Sequence, residues 1–203
     1  MTAPVFCVVE AGAVCAFAVC ATLGARRCGI RLHLHERTPA LLLLAGISAG
    51  GAVFVTHPFL ADAATFAIVA AAVAVCAATD AANGFVFDAV TLPALGLLLP
   101  ASWLYGHFAP SILGALCAAG AILAIYAATQ GRGIGLGDAK LAACIGAGLG
   151  VRGSLYALGI AFVAGALAGI ACLMLQRMQR GSEMRFAPYL AAGTIAAVAW
   201  QAA

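Results

Sequence analysis

The charged side chains of this sequence, ten basic and seven acidic, are so sparse that long stretches carry no charge at all. Those stretches decide what the chain can fold into. Charged residues make up 8% of the 203 and hydrophobic ones 65%, whereas a soluble globular domain carries about 25% charged. A water-soluble enzyme is thereby excluded. One helical crossing of a bilayer takes about 20 apolar residues, and the runs 3–24, 40–56, 60–79, 91–105, 110–129, 139–151, 154–175 and 186–202 each read as a span. The expected fold is all-α: a polytopic membrane protein of about eight transmembrane helices, forming a single integral membrane domain over 1–203. The sixth run is too short for a full crossing, so it has to start below the surface or thin the bilayer; six or seven spans are the alternatives.

Charge placement supports the count of eight. With alternating spans, Arg26, Arg27, Arg31, Arg37, Arg132, Lys140, Arg177, Arg180 and Arg185 share one face and only Arg152 takes the other. The excess of basic residues marks that face as cytoplasmic. A net charge of +3, spread thinly, is too weak to neutralise a run of phosphates, which excludes nucleic acid as a partner. Residues 2–24 lack the positive start of a secretory signal and read as a retained first span.

Seven of the eight cysteines lie inside apolar runs, where cysteine behaves as a small hydrophobe, and no two are spaced as CxxC. Cys28, His33, His35 and Glu36 share one short loop, but their spacing fits no zinc pattern, and Arg26, Arg27, Arg31 and Arg37 repel a cation. That loop reads as a basic surface against anionic lipid, and no metal or cofactor is expected. Small-residue pairs such as Gly46/Gly50 and Gly165/Gly169 allow close helix packing.

Acidic residues at or in membrane spans are costly, and they are functional candidates for that reason. Asp80 closes the third run and Asp138 opens the sixth, which puts both at the cytoplasmic face. Two carboxylates at one depth suit aspartyl hydrolysis, in which one ionised group takes a proton from water while the other, protonated, donates to the carbonyl oxygen. An interfacial helix cap is the alternative for Asp138. Asp138 follows Gly133-Ile134-Gly135-Leu136-Gly137, whose alternate glycines leave backbone open for an extended peptide to lie against.

Gly135-Leu136-Gly137-Asp138-Ala139-Lys140-Leu141 resembles the GxGDxKL motif of the type IV prepilin peptidases, which are GxGD intramembrane aspartyl proteases. Two further segments match in order. Phe87-Asp88-Ala89-Val90-Thr91-Leu92-Pro93 is similar to that family's PDxLTLP, and Arg185-Phe186-Ala187-Pro188-Tyr189-Leu190-Ala191-Ala192-Gly193 to its PFGPFLALG. Phe87 stands where the family has proline, and Ala187 where it has glycine.

The resemblance implies that Asp80 and Asp138 are the catalytic pair and that Gly135 and Gly137 shape the site, with Lys140, Asp88 and Pro188 as further site-shaping or substrate-binding positions. Lys140 is either a headgroup or cytoplasmic anchor or an influence on the pair; Asp88 orders its loop, caps the fourth span or meets substrate. The implied substrate is a prepilin or pseudopilin, cut between its basic leader and its hydrophobic helix at the cytoplasmic face of the bacterial inner membrane. Many members carry a CxxC-bearing domain, associated with zinc and N-methylation, between the first two spans. The segment 25–38 is too short to hold it, so peptidase activity is expected without the methyltransferase. An archaeal-type preflagellin peptidase is an alternative with the same chemistry. A proton-coupled transporter using Asp80 and Asp138 as a relay is an alternative of another class, expected to place its ionisable groups near the midplane.

Overall fold

The computed structural model describes residues 60–131, 133–175 and 185–201. The runs 3–24 and 40–56 and the loop holding Cys28, His33, His35 and Glu36 lie outside the described residues, as do Arg132, Arg177 and Arg180. Every regular element among the described residues is a helix: α1 (Leu60–Asn83), α2 (Asp88–Leu104), α3 (Phe108–Ala128), α4 (Leu136–Met174) and α5 (Ala187–Gln201).

Local chemistry sets the boundaries. α1 is alanine-rich and free of glycine and proline, and it stops at Gly84, whose φ of 74° is one that glycine adopts without strain. The Gly84 amide closes the last turn on the Asp80 carbonyl at 2.8 Å. α2 follows extended Phe87 and carries Asp88 in its first turn, where the helix dipole favours a negative charge. α3 ends in Gln130 and Gly131, both at positive φ, and the Gly131 amide returns to the Tyr126 carbonyl at 2.8 Å.

α4 is two arms joined at Gly150, whose φ of 67° and ψ of −174° break the helix. The second arm runs antiparallel to α5. Gly153 lies against Gln201 and Ala157 against Gly193, the Tyr156 and Trp200 ring centroids are 5.7 Å apart, and those of Phe162 and Phe186 are 5.0 Å apart. Since Phe186 precedes the start of α5 and Gln201 reaches the Leu149 carbonyl, Gly150 turns the chain back towards the end it came from. The first arm, 136–149, is about 21 Å long at 1.5 Å per residue, short of the ~30 Å of a bilayer core.

α4 contacts every other described helix, and α1 packs against α2, α4 and α5. A close crossing joins α3 to the first arm of α4, where a Cβ on Gly114 or Gly146 would run into the other's backbone. Within the bundle Val69, Val75, Leu98, Ile122, Leu141, Ile145 and Leu190 are fully buried; outside it Leu92, Leu116, Leu155, Val163 and Leu167 are exposed. So much exposed leucine suits an apolar solvent. By length and composition α3 and α4 are apolar enough to cross a membrane, and Thr65–Ala81 and α2 are shorter apolar helices. Each of the six apolar runs from residue 60 onward falls on helix, with its ends moved by a few residues, and the sixth and seventh meet at Gly150.

Candidate active site

The alternation of helices brings the end of α1, the starts of α2 and α4 and the start of α5 to one end of the bundle. Asp80 lies in the last turn of α1 and Asp138 in the first turn of α4. Their residues are 6% and 8% exposed, and the two carboxylates are within electrostatic reach of one another.

Asp138 is held by its own loop. Gly135 is extended, with φ −84° and ψ 156°, and its amide donates to Asp138 Oδ2 at 3.2 Å while the Asp138 amide donates back to the Gly135 carbonyl. This is the reciprocal arrangement of a capping box, with the backbone of glycine in place of a capping side chain. The other oxygen, Oδ1, is buried with no hydrogen-bond partner among the described residues. A buried acceptor in that condition calls for a functional explanation.

Asp80 is held from across the molecule. Its Oδ2 accepts the amide of Ala187, the first residue of α5, at 3.2 Å. Arg185 donates its guanidinium to the carbonyl of Ala81, next to Asp80. Pro188 stands in the same first turn of α5, where its fixed φ suits a helix start and its missing amide proton costs nothing. Phe186 anchors this corner by stacking near both Phe162 and Tyr189.

Two contacts join the start of α4 to the start of α2 and the residue pair before it. Lys140 Nζ lies 2.6 Å from Asp88 Oδ1, with the two side chains 42% and 55% exposed. Gly137 faces Val86 so closely that a Cβ on the glycine would sit 2.8 Å from the Val86 Cβ. Deeper in, Cys144 donates its thiol to the Thr91 carbonyl, tying α4 to α2. Cys76 and Cys144 are free and buried. The far end of the bundle holds a cavity of about 200 Å³ lined by Thr65, Ser102, Tyr105, His107 and Ser111, away from both carboxylates.

The structure thus brings together all seven residues singled out in the sequence: Asp80, Asp138, Gly135, Gly137, Lys140, Asp88 and Pro188. It adds Val86, Arg185 and Ala187. Arg185 and Ala187 touch α1 from more than 100 positions away, a separation that no local spacing signals.

The described helices thus form a largely apolar bundle that buries two aspartates at one end. The pattern that defines the type IV leader peptidase family matches residues 67–170, which include both aspartates, and the chain belongs to that family. A prepilin leader peptidase/N-methyltransferase of Burkholderia pseudomallei is 36% identical over 170 residues, covering 80% of this chain and 54% of that one. The protein of that name from Bacillus subtilis is 41% identical over 97 residues, 47% of this chain and 36% of its own; that from Aeromonas salmonicida is 32% identical over 119, covering 56% and 41%. The chain therefore spans about half the length, or less, of these curated relatives. No solved structure shows a significant match to the chain.

Proposed function

We propose that this chain is an aspartic endopeptidase of the bacterial inner membrane that removes the leader of type IV prepilin-like proteins, with Asp80 and Asp138 as its catalytic pair. The observation that carries the reading is the convergence of these two buried carboxylates, with Asp138 Oδ1 unpartnered among the described residues. The relatives bear the names of prepilin leader peptidases.

In the proposed reaction one carboxylate takes a proton from water and the water oxygen attacks the scissile carbonyl carbon. The second carboxyl group gives its proton to the carbonyl oxygen. The resulting tetrahedral centre collapses, the carbon–nitrogen bond breaks, and a proton passes to the departing amine. Substrate has to be extended at the cut, because the amides of a helix are already engaged within it.

Membrane placement follows from charge. Lys140 and Arg185 lie at the aspartate end and Arg152 follows Gly150 at the other, which supports a cytoplasmic active site by the positive-inside rule. A site at one end of the bundle suits a cut at the membrane surface and does not suit a midplane proton relay. We read the chain as one eight-span membrane domain. The relatives' names also include N-methyltransferase activity, and the reaction proposed for these 203 residues is the peptidase one.

The test is co-expression with a pilin-like protein of the same organism, scored by the gel shift of leader removal. The wild type is expected to process the pilin, and Asp80→Asn and Asp138→Asn to leave it uncut. Processing by either variant at the normal rate would refute the pair, and no processing by the wild type of any such protein would refute the substrate class.

A further inference from the structure

Asp80 sits at the wrong pole of its helix. The last carbonyls of a helix have no intrahelical partner and carry the negative end of its dipole, so a carboxylate there meets repulsion that Asp138, at a helix start, does not. α1 has no basic residue of its own in the last turn. The compensation comes from 185–187: Arg185 caps the Ala81 carbonyl, and the first amide of α5 donates to Asp80 Oδ2. The Arg185 guanidinium is also within electrostatic reach of the Asp80 carboxylate.

From this geometry we propose that Arg185 is the positioning residue for Asp80: by pinning the start of α5 to the last turn of α1, it fixes the Asp80 carboxylate on the Ala187 amide. Among the described residues Arg185 hydrogen-bonds the Ala81 carbonyl and neither aspartate. The catalytic consequence rests on the proposed peptidase reading; the tether itself does not.

Two readouts on the full-length protein in lipid vesicles separate these layers. The first is hydrogen exchange over 185–191, read by mass spectrometry without substrate. Exchange is expected to be slow in the wild type, faster in Arg185→Ala, and slow again in Arg185→Lys, which restores a cationic donor. The second is the kinetics of leader removal from a pilin-like substrate. Arg185→Ala is expected to lower kcat roughly 10- to 100-fold, the scale of misplacing a catalytic group by up to an ångström, with KM held within about twofold and largely recovered turnover in Arg185→Lys. Unchanged exchange in Arg185→Ala overturns the tether. Normal kcat in Arg185→Ala, or a loss confined to KM, overturns the positioning role while leaving the peptidase reading intact. The expected exchange pattern in a wild type that cleaves no prepilin upholds the tether and overturns the peptidase reading.

Discussion

Asp80 closes a helix and Asp138 opens one, and the two aspartates accordingly draw their support from different places. Asp138 has the helix dipole in its favour and takes an amide three residues away, from Gly135. Asp80 has the dipole against it and takes an amide 107 residues away, from Ala187. One half of the site is written in a single short loop. The other half exists only once α5 has docked on α1. Disturbances of the two halves should therefore differ in kind: near Asp138 they act through local sterics, and near Asp80 through helix docking.

The largest effects fall on the carboxylates themselves. Asp80→Asn and Asp138→Asn are each expected to slow leader removal by roughly 10²–10⁴-fold. The double variant should be hardly slower than either single one, because groups that act as a unit are not additive. Additive losses in steady-state kinetics would mean two independent roles. The next effect probes the local half. Gly137→Val forces a side chain into Val86, and the rate should fall roughly 10-fold or more through misplacement of Asp138; Val86→Gly in the same chain, which removes the clashing Cβ, should recover part of it, and no recovery would place the damage elsewhere.

Smaller again is the clasp between the starts of α2 and α4. An exposed ion pair contributes about 0.2–1 kcal/mol, so Asp88→Asn and Lys140→Gln should each cost the rate no more than a few-fold. The combined variant should cost little beyond one of them, and added salt should shrink the difference. Large additive losses would instead assign Lys140 or Asp88 to the substrate. Smallest for the site is Gly84→Ala: a side chain at φ 74° costs about 1–2 kcal/mol of stability. Thermal unfolding should register that cost while turnover per folded molecule stays near normal.

The same contrast governs what was legible in the sequence. The apolar runs from residue 60 onward all fall on helix, because scarcity of charge is itself a local property. Gly135, Gly137 and Asp138 were legible for a similar reason: cap and carboxylate lie within one turn of each other. The Lys140–Asp88 pair was half legible. Both residues stood out, but their meeting depends on α2 and α4 starting at the same end, so the headgroup-anchor and loop-ordering roles could not be told apart in the sequence, and the structure joins the two residues to each other. The turn at Gly150 left only the mark of a run too short to cross. Arg185 and Ala187 were recognisable as part of a motif and silent as partners of α1, since nothing in a linear spacing measures a gap of more than 100 residues.

Binding of a leader peptide whose scissile amide is replaced by a hydroxyl-bearing isostere tests most directly whether both aspartates serve one substrate. Titrated into the purified protein in lipid vesicles, it should bind the wild type and lose affinity together in Asp80→Asn and in Asp138→Asn, with the variants' thermal stability unchanged. Wild-type affinity in either variant would mean that the two carboxylates do not share a site, and the account would fall.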